Sequence, residues 1–288
     1  MKNLIRELAF FCLLLVFVSI NVSDTNGQPS NRDSVPHYVA ARVACGFSHN
    51  DYCHKHPLYD ALENGFANVE ADIFLKNGKL IVAHIFPYFK GRRTLESLYL
   101  KPLSERIAEN NGWVLAGYNS PVILMIDIKT NAGNTYKVLK PLLEKYRSML
   151  SGCENGKVVY RAVTIVLSGH KPSEIIKNEA NRLAFIDEDL LKVSADSTGN
   201  NMFTMASCKY SSLLKWDGEG ILPAMERGKL LTFVAMAHKI GAKVRLWASP
   251  EKKAVWDELL RCGVDLINTD QLVNFKKYLD VQRFAKVD

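Results

Sequence analysis

The sequence predicts a single α/β domain, a TIM-type (β/α)8 barrel behind a signal peptide, and three observations lead there. Past residue 40 of the 288, short β-branched apolar runs alternate with longer amphipathic ones, as in a parallel sheet covered by helices. Eight such apolar runs can be counted, enough to close a barrel. Polar residues gather where these runs end, the place at which a barrel collects its chemistry. The glycine fingerprint that would favour an open nucleotide-binding sheet is missing.

At the start of the chain, Lys2 and Arg6 precede an apolar run from Leu8 to Ile20, and a polar stretch with Ser23, Asp24, Thr25 and Gly27 follows. That pattern predicts a secretory signal peptide over 1–27 and a soluble mature protein in a periplasmic or extracellular setting. The run is shorter than the roughly 20 residues a membrane-spanning helix needs. Residues 28–40 are too poor in apolar side chains to pack and serve as a lead-in, so the barrel is expected over 41–288.

Its strands are expected at Arg42 to Gly46, Asn68 to Leu75, Val122 to Ile128, Ala162 to Leu167, Leu183 to Ile186, Met202 to Ala206, Lys243 to Trp247 and Asp265 to Asn268. Pro57 to Asn64, Thr135 to Leu150, Ser173 to Asn181, Lys229 to Ile240 and Lys252 to Cys262 carry apolar residues at three- and four-residue steps and should be helices. Gly65, Gly241 and Gly263 stand where a chain leaving a helix needs a left-handed residue. Lys79 to Ala83 is a further strand, turned back on the second by the hairpin dipeptide Asn77-Gly78, and decorates the barrel without joining it. Ile85 to Leu98, with Pro87 and Gly91, is placed to form a loop over the site.

The net charge of +7 suits an anionic substrate and allows peripheral membrane contact. No Lys/Arg run with interleaved aromatics marks a nucleic-acid groove, and a monomer is expected. The cysteines beyond the leader have no zinc-finger spacing, which argues against structural zinc.

Strands buried on both sides should be almost wholly apolar, and several here are not. Glu70 and Asp72 are two apart in one strand, so both point to the same face. With Asp127 from the neighbouring strand they make a three-carboxylate oxygen site of the kind Mg²⁺ or Ca²⁺ occupies. His49 and His84 flank the pair at strand ends, and imidazole takes and gives a proton near neutrality. Cleaving a phosphodiester in line needs a base, an acid and a cation for the phosphoryl charge, and this set supplies all three. Lys129 shares the face of Asp127 and can reach a phosphate oxygen; Trp247 offers an apolar wall and Asn268 a hydrogen-bond donor.

These residues resemble the superfamily of phospholipase-C-like phosphodiesterases, which includes the glycerophosphodiester phosphodiesterases and the sphingomyelinase D enzymes. The carriers are Ser48-His49-Asn50-Asp51, Val69-Glu70-Ala71-Asp72, Val82-Ala83-His84, Ile126-Asp127-Ile128-Lys129, Val244-Arg245-Leu246-Trp247 and Gly263 to Asp270. The resemblance implies that His49 and His84 are the acid/base pair and that Glu70, Asp72 and Asp127 hold one divalent cation, Mg²⁺ or Ca²⁺. It further implies that Lys129, Trp247 and Asn268, with Asn50 and Arg245 beside them, contact a small phosphodiester or phospholipid substrate. His-Asn-Asp-Tyr at 49–52 departs from the His-Arg-Gly of the glycerophosphodiester enzymes and looks more like a subgroup similar to a yeast mitochondrial-inheritance protein. The competing expectation is a barrel that binds a phosphorylated headgroup or an envelope glycan without turnover.

Overall fold

The computed structural model describes residues 45–85, 92–194 and 201–284. The expected signal peptide over 1–27, the lead-in over 28–40, the first residues of the predicted first strand and residues 86–91 of the expected loop Ile85 to Leu98 lie outside the described residues, and the end of that loop is helical from Glu96.

The strands are β1 (Gly46–Ser48), β2 (Asn68–Lys76), β3 (Lys79–Val82), β4 (Val122–Ile128), β5 (Gly152–Glu154), β6 (Lys157–Val159), β7 (Val163–Gly169), β8 (Phe185–Asp189), β9 (Phe203–Lys209), β10 (Lys243–Trp247) and β11 (Leu266–Thr269). Eight of them are parallel and follow one another around the sheet as β1-β2-β4-β7-β8-β9-β10-β11. β11 pairs back onto β1, Gly46 opposite Ile267, so the barrel closes. β3 lies antiparallel on the outer length of β2, as the Asn77-Gly78 turn requires. Both turn residues have positive φ, 49° and 72°, the conformation of a hairpin turn whose twist matches the strands. β5 and β6 form a separate hairpin that was not expected, although Asn155-Gly156 turns it with positive φ values of 51° and 78°, as Asn77-Gly78 turns the first.

Alternation along each strand divides the side chains between two environments. Outward residues pack beneath the surrounding helices, in a core that includes Val69, Ala71, Ile73, Leu124, Ile126, Ile165 and Leu167. Inside the barrel, Phe47, Ile123, Met125, Val166, Met205 and Leu266 form a closed apolar cluster. Two residues further along, the same inward rows turn polar, with Asp127 after Met125, Ser168 after Val166, Ser207 after Met205 and Asn268 after Leu266. The apolar plug thus seals the lower barrel, while the mouth receives the carboxylates and most of the other polar groups that the strands bring inward.

That gradient explains where the predicted boundaries fall short. β7, β8 and β9 continue past their apolar runs to Gly169, Asp189 and Lys209, because the polar residues ending them face the mouth and not a hydrophobic layer. β1 begins at Gly46, where the expected strand ended, and gains Phe47, which fills the barrel, and Ser48, whose hydroxyl bonds Asp51 at 2.9 Å. The helix expected from Lys229 begins at Ala224, behind Pro223, and the one expected from Thr135 runs over Ala132–Lys145. Besides the single turn at Tyr210–Leu213, two longer α-helices among the described residues were missed, Lys101–Glu109 and Leu272–Phe284. The second is anchored by Phe275 and Tyr278, which pack on Trp256 with ring centroids 5.1 Å away in each case. No helix among the described residues is long and apolar enough to cross a membrane.

Candidate active site

The mouth begins at the turn after β1. Asn50 adopts the left-handed conformation, φ 47°, and reverses the chain into a short 3-10 turn over Asp51–Cys53. An asparagine tolerates that conformation better than most residues. Asp51 holds the turn from below: its fully buried carboxylate accepts from Ser48 Oγ at 2.9 Å, Leu58 N at 2.6 Å and Tyr99 Oη at 2.8 Å. His49 is thereby aimed inward. Its Nδ1 lies 2.8 Å from Asp270 Oδ1, and its Nε2 lies 3.5 Å from Glu70 Oε2. Burial alone would push this imidazole down, but the Asp270 hydrogen bond and the Glu70 charge outweigh it and hold His49 above its ordinary value.

Across the mouth, β2 and β4 pair with Asp72 opposite Asp127, and Glu70 sits one inward position below Asp72. Oxygens of these three residues lie within 4.8 Å of one another. Asp72 is buried, and burial is the main cause that pushes its carboxyl up to about 6; Lys129 opposes the shift, while Glu70 and Asp127 add to it. Lys129 reaches into the same cup, its Nζ 3.1 Å from Asp72 Oδ2 and 3.2 Å from Asp127 Oδ1. Asp127 Oδ1 is nevertheless shut off from solvent and accepts no hydrogen bond. A hard divalent cation takes oxygen ligands at roughly 2.0–2.6 Å, so oxygens this close, one of them orphaned, fit such an ion.

Asp127 also explains Gly169 at the end of β7. A Cβ on that residue would stand 2.2 Å from Asp127 Oδ1 and 2.6 Å from the Ile128 carbonyl oxygen, and its φ of +68° is left-handed. Only glycine leaves the carboxylate its place.

His84 follows β3 and meets the cup from the other side, its Nδ1 3.8 Å from Asp72 Oδ2 and 3.0 Å from Tyr52 Oη. One cavity of about 330 Å³ is lined by both histidines, the three carboxylates, Asn50, Lys129, Arg245 and Trp247. Of the residues singled out from the sequence, Asn268 alone does not line it. It lies beneath, accepting from Arg245 Nη1 at 3.1 Å. Arg245 is itself almost wholly buried, stacked 4.4 Å over Phe47, with Glu70 Oε1 3.7 Å away. His56, His170 and His238 do not line it and bond Asp60, the Thr130 carbonyl and Asp265 instead.

Sequence reasoning missed Asp187, Ser168 and Gly169, which also line the cavity. Asp187 accepts from Ser207 Oγ at 2.7 Å, and burial pushes its carboxyl up to about 6 against the pull of Arg245. The signal was present: Asp187-Glu188-Asp189 ends a strand just as Glu70 and Asp72 interrupt one. The expected strand stopped at Ile186, and a register shift between Ile186 and Asp187 re-aims the residues beyond it.

Comparison with known proteins agrees with this geometry. Residues 38–187 match the model of the AIM6-like phosphodiesterase domain, and residues 243–272 match that of the glycerophosphoryl diester phosphodiesterase family. Altered inheritance of mitochondria protein 6 of Eremothecium gossypii is 31% identical over 265 residues, covering 80% of this chain and 68% of that protein. The proteins of that name from Lachancea thermotolerans and Saccharomyces cerevisiae strain YJM789 are 29% and 28% identical. Each alignment covers 78% of this chain, and respectively 63% and 68% of the relative.

Proposed function

The chain belongs to the family of AIM6-like phosphodiesterase domains, and on that premise we propose that it cleaves a phosphodiester of the glycerophosphodiester or phospholipid-headgroup class. The observation that carries the reading is the convergence of His49 and His84 on a cup formed by Glu70, Asp72 and Asp127, all within one cavity.

A divalent cation held by Glu70, Asp72 and Asp127 would draw charge from the phosphoryl oxygens as the bond breaks. The remaining work falls to the side chains. His49, whose imidazolium is stabilised by the Asp270 carboxylate 2.8 Å from Nδ1, holds the proton that the leaving oxygen needs. His84 takes the proton of the attacking oxygen. Lys129 moves from the carboxylates to a non-bridging oxygen, and Trp247, about a third exposed at the rim, makes an apolar wall for the headgroup. Arg245 acts from beneath, holding Glu70 and Asn268 in place. The proposal extends to export through residues 1–27, to action as a monomer and to contact with a membrane surface when the substrate is a phospholipid. N-terminal sequencing of secreted protein tests the first of these.

The deciding experiment incubates purified protein with glycerophosphodiesters and lysophospholipids, with and without chelator, and follows products by phosphorus NMR. Turnover that needs Mg²⁺ or Ca²⁺ and is lost in His49→Ala and His84→Ala is the expected result. A cyclic phosphate would identify a substrate hydroxyl as nucleophile, and a linear monoester from the outset would identify water. Undiminished turnover in both histidine variants, or binding with no turnover of any substrate, would overturn the reading.

A further inference from the structure

The two histidines are not independent. Tyr52 lies at the centre of the turn that carries His49, with its ring buried and its hydroxyl beneath the mouth. That hydroxyl donates to Asn50 Oδ1 at 2.7 Å and lies 3.0 Å from His84 Nδ1. The two rings face each other, centroids 6.3 Å apart and planes inclined by 29°. On its other side the Asn50 amide nitrogen lies 3.0 Å from His49 Nδ1 and interacts with Asp270, the carboxylate that accepts from that ring nitrogen.

We propose that Tyr52 is a positioning residue for the reaction assigned above: it fixes His84 with its proton on Nδ1 and, through Asn50 and Asp270, ties His84 to His49. The argument is one of donors and acceptors. A phenol has one proton, and whether it goes to Asn50 Oδ1 or to the nearby Asp72 carboxylate, only an oxygen lone pair is left for His84. A ring nitrogen facing a lone pair must carry a hydrogen, so neutral His84 is protonated at Nδ1 and presents a free Nε2 to the mouth. His49 is set in the same way, its Nδ1 donating to Asp270. The chain from His84 through Tyr52, Asn50 and Asp270 to His49 therefore leaves both imidazoles presenting Nε2 to the substrate. Asn50, expected from the sequence as a substrate contact, has both ends of its amide engaged in this chain.

The inference rests on the proposed acid/base roles, yet its first test is independent of activity. Long-range proton–nitrogen NMR of the full chain, labelled at histidine, reads which ring nitrogen is protonated when the imidazole is neutral, and His84→Gln assigns the signals. His84 is expected to show a pyrrole-type Nδ1 and a pyridine-type Nε2. Tyr52→Phe keeps the ring and removes the hydroxyl; His84 should then revert toward the Nε2-protonated form favoured by free imidazole. In that variant kcat should fall about tenfold, with KM and calorimetric Mg²⁺ affinity unchanged. The inference is overturned if His84 in the unaltered protein carries its proton on Nε2, or if Tyr52→Phe leaves the His84 pattern as it was. Absence of turnover in the unaltered protein would sink the phosphodiesterase reading, while the nitrogen spectrum would still decide the role of Tyr52.

Discussion

Two acids at the mouth of the barrel, Asp51 buried and Asp127 half-buried, are treated in opposite ways. Asp51 lies under the β1 turn with a hydroxyl, a backbone N–H and a phenol all donating to its carboxylate. Asp127 stands in the cup with an oxygen that accepts no well-formed hydrogen bond and has only the Lys129 ammonium, 3.2 Å away, as its counter-charge, beside two further carboxylates. Burying a charged oxygen costs several kcal/mol unless hydrogen bonds or a counter-charge offset the loss of water. At Asp51 the chain supplies three donors itself, although burial still outweighs them and holds the carboxyl above its ordinary value, and the acid holds the fold. At Asp127 only the Lys129 ammonium stands against the neighbouring carboxylates, and oxygen positions that a cation could take are left open.

The comparison breaks most visibly if the cup can be neutralised without loss of function. Asp127→Asn and Asp72→Asn should lower turnover by about 10³-fold or more, roughly 4 kcal/mol at the transition state. Their urea midpoints should stay at or above that of the parent, because each change removes a like-charge repulsion. Activity assays and denaturation curves on the same preparations check both halves. Asp51→Asn should do the reverse. An amide nitrogen placed among donors leaves buried groups unpaired, at a cost of about 3 kcal/mol in stability, read from the urea midpoint at unchanged slope.

A third acid sharpens the comparison through pH. Burial raises Asp187 to about 6 in the folded chain, while an unfolded aspartate titrates at about 3.9. The folded state therefore keeps its proton where the unfolded state has lost it. Stability should fall as pH rises from about 4 to about 6 and level off above, by about 2 kcal/mol from this group. Asp187→Asn removes that slope, so its stability relative to the parent should climb through the same window. Denaturation at a series of pH values measures it, and a gap that stays constant from pH 4 to 7 would refute the assignment.

Seven of the eight barrel strands were legible because each carries a short apolar run, the first was met only at Gly46, and the β2–β3 hairpin was legible because Asn77-Gly78 permits little else. His49, Glu70, Asp72, His84 and Asp127 were legible because polar groups interrupt strands that should have none. Residues whose role depends on a partner far along the chain could not be read in this way. Asp270 finds His49 across 221 positions, and Tyr52 finds His84 across 32. Nothing in either local sequence distinguishes such a contact from an exposed carboxylate or a core tyrosine. The helix over Lys101–Glu109 escaped for a different reason: a stretch of π-helix over Glu96–Leu100 runs into it and shifts the apolar period.

The smallest expected effect concerns Lys129, which acts in the cup as the counter-charge that Asp51 does not need. Burial pulls its ammonium down, but Asp127 and Asp72 outweigh that and hold it above its ordinary value, so it stays charged between them. A divalent cation entering the cup must share these carboxylates with it or displace it. Lys129→Met should therefore tighten Mg²⁺ binding by about three- to tenfold, roughly 1 kcal/mol, while turnover falls because a phosphate contact is lost. Titration calorimetry separates the two effects. Weaker cation binding in the variant would mean that Lys129 supports the cup and does not compete for it, and the contrast with Asp51 would then have to be drawn elsewhere.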